Sequence, residues 1–481
     1  MSYSPYKKYN KNEFSPTREL AKFIVNTKYD DIPKETIDNP IGMRMHILNA
    51  LGVGLLGSTR WHGPKQIVQV LKSYGGPEEA TVWGYNFKLP AISAAMANAM
   101  AVNSLEYDDH GTHPGCLVVP VALAVAEREG GVDGKEFINA VTIGFEVIDR
   151  ISAVAGGLKG GEERGVYTSG TYNHFGAIAV AARILGLNVD QMVECLGTGG
   201  CEAITLWTPS MTKRFAHSRA ARTGIICADL AKRGFTGTPT ILEANKGGFF
   251  FCLIPPELGT YDLSKLTTGL GKDYICTYAK IKMRASSGGN GNIDCLEEIM
   301  RTHPEVRNID QIKKITLEAS KIEQEIHLGV DWRNADPVDT LREINVALMH
   351  EGFHLAVMLM DGELTYRQYT DKRLKDPKTL DLIRKYKIVS LTPEHIQQHI
   401  HGALTIEMKN GNIYTATSPP VKAYGSKNNP PTKEELYKKF RDCATVPKGI
   451  DLKRADEIIR IVENLENLKD VSDLAKLLAT K

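Results

Sequence analysis

Apolar residues recur along most of the chain with the three-to-four spacing of helices. Residues 17–27 show this spacing on one face only, which predicts an amphipathic helix. Other segments are apolar nearly all round and predict helices that are buried on every side; they are residues 41–57, 116–129 and 175–187. The chain is therefore expected to be almost wholly helical as far as residue 269.

The periodicity changes in the second half of the chain. Residues 312–319 predict a strand, and residues 403–408 and 413–416 alternate on either side of an Asn-Gly turn, as in a β-hairpin. Residues 341–361 predict one long helix between these strands. Strands mixed with helices indicate a second, α+β domain.

Amphipathic helices return at the end of the chain, after a linker rich in Pro, Gly and Asn at residues 419–431. A helical tail after an α+β segment predicts that the terminus packs back onto the first domain. The expected fold is mainly α, with a large all-helical domain formed from both chain ends and a smaller inserted α+β domain. The predicted boundaries are 1–275 and 421–481 for the helical domain and 276–420 for the insert.

Composition and charge narrow the functional classes. The chain has 481 residues, enough for two or three domains, and its 42% hydrophobic and 24% charged residues are ordinary for a globular protein. The net charge is only +2, so we expect neither nucleic acid nor a membrane surface as a partner. No signal peptide or membrane span is predicted, which favours a cytoplasmic protein. The eight cysteines form no CxxC pair and predict neither zinc nor disulfides.

The densest group of ionisable side chains lies where a helix of small residues, predicted over 91–109, leads into a turn. This turn holds Glu106, Asp108, Asp109, His110 and His113 within eight residues. Carboxylates at a helix C-terminus are electrostatically unfavourable, and histidine is the side chain best suited to proton transfer near neutral pH. Catalysis is one interpretation and a solvated loop is another. A metal site is a third, although the spacing matches no established ligand pattern.

A basic run on a later predicted helix has the opposite sign. It contains Lys213, Arg214, His217, Arg219 and Arg222, with no acid between them. Lysine and arginine at close range bind carboxylates or phosphates. The run therefore favours a pocket for an anionic ligand, with a solvated helix face as the alternative. In a helix Lys213 and His217 share a face, while Arg214 is expected elsewhere.

Further cations are found in the segment that leads into the α+β insert. Lys282 and Arg284 could contact the same ligand or be exposed boundary charges. The acidic and basic clusters together predict a cleft that binds a small polycarboxylate and moves a proton at the carbon beside a carboxylate. Lysine and arginine would stabilise the negative charge that develops there, and a histidine or acid would exchange the proton.

At these motifs the chain resembles the MmgE/PrpD family, which includes 2-methylcitrate dehydratase, cis-aconitate decarboxylase and iminodisuccinate epimerase. The likeness rests on the order and spacing of short segments along nearly the whole chain. These segments are 46–57, 94–101, 105–109, 112–114, 176–187, 211–214 with His217, 220–224, Lys282 and 360–364.

The resemblance implies a fold, an assembly and a set of site residues. The family has a large helical domain with an inserted α+β lid, forms homodimers and uses no metal or organic cofactor for this chemistry. His113 matches its active-site histidine, Glu106 and Asp109 lie among its turn acids, and its basic positions match Lys213, His217 and Lys282. Our candidate residues are, for catalysis, His113, Glu106, Asp109, His110 and Tyr167, and for binding a small anionic substrate, Lys213, Arg214, His217, Lys282 and Arg284.

Several positions depart from the family's pattern. His110 stands where the decarboxylases have a threonine, Tyr167 replaces a second histidine, and Phe353 lies near a decarboxylase tyrosine. Residues 283–287 replace a proline-containing context after Lys282. We therefore predict a lyase or isomerase of open subtype: dehydratase, decarboxylase or epimerase. The alternative is a family member that has lost catalysis and binds an anionic metabolite or serves as a partner subunit.

Overall fold

Helices make up most of this computed structural model, which describes residues 13–60, 63–109, 111–157, 165–206, 211–257, 259–287, 291–319, 344–398, 400, 402–418 and 424–480. The first helix shows how the sequence starts such an element. Pro16 occupies its first position, where the missing N–H costs nothing, and the Ser15 hydroxyl accepts a bond from the Arg18 backbone N–H at 3.2 Å. The helix then buries Leu20 and Ile24 on one face.

The first part of the chain contains twelve described α-helices and one short hairpin. Helices α1 to α12 are Pro16–Asn26, Lys34–Asp38, Met43–Arg60, Pro64–Tyr74, Ala91–Asn103, Gly115–Glu129, Gly134–Val154, Thr168–Ile184, Val189–Gly200, Thr212–Lys232, Phe249–Leu253 and Ser264–Thr267. The antiparallel strands β1 and β2 are Ala80–Thr81 and Lys88–Leu89. Short 3-10 helices lie at Tyr29–Asp31 and Ile275–Tyr278.

The insert packs helices against a four-stranded sheet. Its helices α13 to α18 are Gly291–Thr302, Ile344–Ala347, Glu351–Asp361, Asp371–Leu374, Pro377–Lys385 and Pro393–Gln397. Its strands β3 to β6 are Ile312–Ala319, Tyr386–Ser390, Gly402–Met408 and Ile413–Ser418. The order in the sheet is β4-β3-β5-β6, with β3 and β4 parallel and the other pairs antiparallel.

Three helices close the chain and join the core of the first part. They are α19 to α21, at Lys433–Ala444, Leu452–Glu463 and Ser472–Lys476. One apolar cluster combines residues 20–281 with residues 436–478, and a second cluster is centred on residues 285–408. This confirms the predicted mainly α fold, with a helical core built from both ends of the chain. The domain boundaries predicted from the sequence remain a proposal.

Two predicted helices are shorter than expected. The helix predicted over 341–361 is interrupted, because His350 caps a new helix by accepting the Phe353 N–H on its Nδ1 at 3.1 Å. The helix after Pro90 ends at Asn103, before the acidic cluster. Among the described helices, none combines the length and the apolar character needed to cross a bilayer.

Candidate active site

Three segments bring the predicted ionisable residues together. They are the turn between α5 and α6, the start of α10, and residues 279–287, which lead into the insert. The backbone N–H of Lys282 donates to Asp108 O at 3.0 Å, and that of Ser286 donates to Glu106 O at 3.2 Å. The turn and the inter-domain segment therefore run side by side, although they are far apart in sequence.

The backbone of the turn is strained at two of the predicted site residues. Glu106 has φ 51° and His113 has φ 56°, and among the described non-glycine residues only these two have positive φ. A non-glycine residue in this region costs about 1–3 kcal/mol and persists only where the surroundings hold it, often at functional sites. The strained positions here coincide with the carboxylate and the imidazole at the centre of the cluster.

Glu106 is the buried anion around which the cations gather. Lys213 and Arg214 both donate to its Oε1, and Lys282 donates to its Oε2 at 2.9 Å. Arg214 also donates to Asn103 Oδ1 at 3.1 Å. Arg214 was expected on a different helix face from Lys213, but its longer side chain reaches the same carboxylate oxygen.

His113 is held between two carboxylates of the same turn. Its Nδ1 lies 3.0 Å from both oxygens of Asp108, and its Nε2 lies 3.5 Å from Glu106 Oε2. Asn103 donates to Asp108 Oδ2 at 3.3 Å. With Asp108 accepting from Nδ1–H, Nε2 is the ring atom left to take or return a proton.

Asp109 organises the turn from behind. Its Oδ2 accepts the backbone N–H of Gly115 at 2.7 Å, and its Oδ1 lies 2.6 Å from His46 Nδ1. The other ring nitrogen of His46 is 3.1 Å from Ala279 O. Asp109 thus closes the loop that carries His113 and ties it to the inter-domain segment, rather than meeting the cations beside Glu106.

Tyr167 and His217 form a second proton-bearing pair beside His113. The Tyr167 hydroxyl lies 2.9 Å from His217 Nε2, and the rings of His113 and His217 are 6.0 Å apart. The ammonium of Lys213 lies 5.6 Å from the Tyr167 ring centroid. Each of these side chains is at least nine-tenths buried.

Burial and neighbouring charges shift the pKa values of Glu106 and Asp108 in opposite directions. Burial alone would raise the pKa of Glu106, but the charges of Lys213, Lys282, Arg214 and His113 lower it well below its usual value. Burial would also raise the pKa of Asp108, but the charge and the hydrogen bond of His113 lower it to about 2. Glu106 and Asp108 are therefore ionised at neutral pH.

The pKa shifts of the other groups have burial as their largest cause. Burial lowers the pKa of Lys213 to about 8, against the charge of Glu106. Burial and the nearby charge of His113 lower the pKa of His217 well below its usual value, so its ring is neutral. The pKa of the Tyr167 phenol is raised well above 10.0, first by burial and then by Glu106. At neutral pH the phenol keeps its proton.

The structure separates one predicted binding residue from the cluster. The Arg284 guanidinium donates to Asp294 at 2.7 Å and to Glu297 at 2.6 Å, both on α13. The charge of Arg284 is therefore paired with two carboxylates of the insert.

His110 lies outside the described residues. Phe353 is fully buried in the core of the insert, 5.4 Å from the ring of Tyr369, whose hydroxyl donates to Ala285 O.

Several residues of the site were not among the candidates, and Asp108, the partner of His113 Nδ1, is one of them. Asn103 bridges Arg214 and Asp108, and His46 orients Asp109. From the C-terminal helix α19, Lys439 donates to Asn49 Oδ1 and Tyr107 O, both at 2.7 Å, and to the backbone oxygen of Lys282. No spacing rule connects Lys439 with a turn more than 300 residues earlier, so only the fold reveals it.

Metal binding was the third interpretation of the acidic turn. Within the ranges that the structure describes, no group of three or more His, Cys, Asp or Glu side chains is arranged to hold a metal ion. The carboxylates of the turn are engaged with cations, imidazoles and backbone N–H groups instead.

Three features define the class of protein. They are a helical domain built from both chain ends, an α+β insert, and a buried cluster of basic, acidic and imidazole groups where the two meet. The chain belongs to the MmgE/PrpD family. It matches the MmgE/PrpD N-terminal domain over residues 18–259 and the MmgE/PrpD C-terminal domain over residues 286–467. The resemblance seen in the sequence is confirmed.

Several curated proteins are similar over most of their length. A cis-aconitate decarboxylase-like protein, oryM, of Aspergillus oryzae is 26% identical, covering 97% of this chain and 98% of the relative. The cis-aconitate decarboxylase of Aspergillus terreus is 27% identical over 96% and 95%. The mitochondrial 2-methylcitrate dehydratase of Yarrowia lipolytica is 22% identical over 81% and 78%. These names confirm the enzyme class, an MmgE/PrpD-like lyase, and leave the subtype open.

Proposed function

We propose that this protein is a lyase that acts on a small tricarboxylate-like acid by proton transfer beside a carboxylate. One observation carries the proposal. The cations around Glu106 lie beside two pairs of side chains that can hold a proton, His113–Asp108 and Tyr167–His217. Binding groups and proton-transfer groups within one buried cluster are what such a reaction needs.

The charge balance of the cluster supports an anionic substrate. Lys213, Arg214 and Lys282 supply three positive charges, and Glu106 and Asp108 supply two negative charges. The excess positive charge favours the entry of a carboxylate into a site where burial strengthens electrostatic attraction. The same cations can stabilise the negative charge that develops on the carbon beside that carboxylate.

His113 is our principal general acid or base. Asp108 fixes the ring through Nδ1, so Nε2 can accept a proton from the substrate carbon or return one to it. Tyr167, with its phenol protonated and hydrogen-bonded to His217, serves as the second proton donor. Dehydration uses both roles, because a C–H proton is removed and the leaving hydroxyl is protonated. Decarboxylation needs only a donor to the carbanion that remains after CO2 leaves.

The relatives define the first compounds to test. Proteins named cis-aconitate decarboxylase and 2-methylcitrate dehydratase span most of this chain. Purified protein is incubated with cis-aconitate, 2-methylcitrate and related di- and tricarboxylates, and both CO2 release and gain or loss of a C=C bond are followed. Conversion of at least one acid, abolished in His113→Ala and retained in Arg284→Ala, is expected. Binding of the acids without any conversion would support the catalytically diverged alternative instead.

We further propose that the protein works as a cytoplasmic homodimer. The homodimer is implied by the family resemblance, and the cytoplasmic location is the expectation from the sequence, kept here as a proposal. A molecular-mass measurement in solution tests the assembly, and a mass equal to that of one chain would contradict it.

A further inference from the structure

Asn173 is a buried amide that contacts His113 and His217. It lies on α8, and its side chain is fully shielded from solvent. Its Nδ2 is 3.2 Å from the backbone oxygen of His113 and 3.4 Å from Nδ1 of His217. Its Oδ1 has no hydrogen-bond partner among the described residues. Both contacts are therefore made by the same nitrogen.

The contact with His113 fixes which way the amide faces. A backbone carbonyl oxygen can only accept a hydrogen bond, so the group turned towards it must be the NH2 of Asn173. Rotating the amide by half a turn would set Oδ1 against that carbonyl and place two acceptors face to face. The second hydrogen of the same NH2 group then serves His217 Nδ1.

The orientation of Asn173 determines the position of the proton on His217. Because Nδ1 accepts a hydrogen bond, it carries no hydrogen, and the neutral ring must hold its proton on Nε2. That nitrogen is 2.9 Å from the Tyr167 hydroxyl. His217 is thus the donor and Tyr167 the acceptor, and the hydrogen of the Tyr167 hydroxyl is directed to an acceptor other than His217.

We propose that Asn173 is a positioning residue that holds His217 as its Nε2–H tautomer and thereby presents Tyr167 as a proton donor to the substrate. The inference rests on the proposed function for its catalytic consequence. In the step itself the O–H bond of Tyr167 breaks, a C–H or O–H bond forms on the substrate, and the negative charge moves to the phenolate oxygen. The Nε2–H of His217 holds that oxygen until solvent returns the proton.

The tautomer can be read directly from nitrogen chemical shifts. The intact protein is labelled with 15N-histidine, and the His217 signals are assigned by their absence from His217→Gln. In the wild type Nδ1 is expected to be unprotonated and Nε2 protonated. In Asn173→Asp the new carboxylate accepts from the ring, so Nδ1 is expected to gain a hydrogen. A protonated Nδ1 in the wild type, or unchanged shifts in Asn173→Asp, would overturn the proposal.

A second buried asparagine provides the control for simple loss of packing. Asn139 on α7 is 1% exposed, its Nδ2 donates to Thr27 O at 3.0 Å, and its Oδ1 lacks a described partner. With an acid that the enzyme converts, Asn173→Asp should lower kcat by about 100-fold or more with little change in KM. Asn139→Asp should keep kcat within about threefold. Equal losses of kcat in the two variants would contradict a specific role for Asn173.

The nitrogen shifts also separate this inference from the proposed function. If no acid is converted but His217 carries its proton on Nε2 and Asn173→Asp moves it, the tautomer assignment stands and the lyase assignment fails. If acids are converted while the wild-type ring is protonated on Nδ1, the reverse holds. The wild-type spectrum decides the tautomer of His217 even where Asn173→Asp does not fold.

Discussion

Replacing Glu106 by glutamine removes the carboxylate that Lys213, Arg214 and Lys282 share. The side chain of Glu106 is about 1% exposed and those of its three partners are at most 6% exposed. Solvent cannot reach these side chains to screen their charges, so the substitution leaves buried cations without their counterion. We therefore expect the variant to be destabilised by more than an ordinary surface charge change.

The size of the effect follows from burial. Removing one partner of a buried ion pair costs about 3–5 kcal/mol, which is a large share of the roughly 5–15 kcal/mol that stabilises a folded domain. A loss of about 3 kcal/mol changes the unfolding equilibrium more than about 100-fold. Adding Lys213→Met to Glu106→Gln should restore part of the stability, because one uncompensated charge is removed with the anion.

The pH dependence has a definite sign. The folded-state pKa of Glu106 is lowered well below the usual value of 4.5. The contribution of ionised Glu106 to the free energy of unfolding is therefore fully present above pH 4.5 and is lost as the pH falls through the folded-state pKa. The stability difference between the wild type and Glu106→Gln should be constant from about pH 5 to about pH 7 and should shrink in acid.

Urea unfolding at several pH values measures both effects, with Glu129→Gln as the control. Glu129 also lies between two cations, Arg128 at 2.9 Å and Lys232 at 3.7 Å, but its side chain is 32% exposed. Solvent screening should limit its loss to about 1 kcal/mol. Equal stabilities of Glu106→Gln and Glu129→Gln, or a deficit that does not shrink in acid, would refute the assignment of Glu106 as the buried counterion.

Three further predictions concern single residues of the site. His113→Ala should lower kcat by about 10²–10⁴-fold, measured by steady-state turnover, and a loss below about threefold would exclude it as general acid or base. Arg284→Ala should leave KM nearly unchanged, since its charge is bound to Asp294 and Glu297, but should cost about 1–3 kcal/mol in urea unfolding; a large rise in KM would contradict this. The pKa of Lys213, lowered to about 8 from 10.5, contributes a rise of stability with pH between these values. Lys213→Met should remove this contribution and leave the similar one of Lys439, whose pKa is also lowered to about 8.

The sequence predicted elements wherever local spacing determines them. Strand 312–319 and the hairpin around Asn410-Gly411 are present, and the helix predicted over 17–27 is observed at Pro16–Asn26. The break at His350 was missed because its cause is a side chain that accepts a backbone N–H, which apolar periodicity does not register. The early end of α5 was missed for a similar reason, since the backbone conformation of Glu106 depends on contacts with distant segments.

The candidate site could be assembled from the sequence only in part. Charge type and spacing picked out Glu106, His113 and Lys213, but not that Lys213 and Arg214 meet one carboxylate oxygen. Neutral groups such as Asn173 carry no signal of charge or spacing, and their role follows from which atoms they face. Lys439 comes from the opposite end of the chain, so its contact with the turn is a property of the fold alone.

Deuterium exchange tests the central claim most directly. Wild-type protein and His113→Ala are incubated in deuterated water with the same acids, and deuterium at the carbon beside a carboxylate is followed by NMR. The wild type should incorporate solvent deuterium into at least one acid, and His113→Ala should do so about 100-fold more slowly or worse. Binding of the acids without exchange, or equal exchange in the two proteins, would contradict proton transfer by His113.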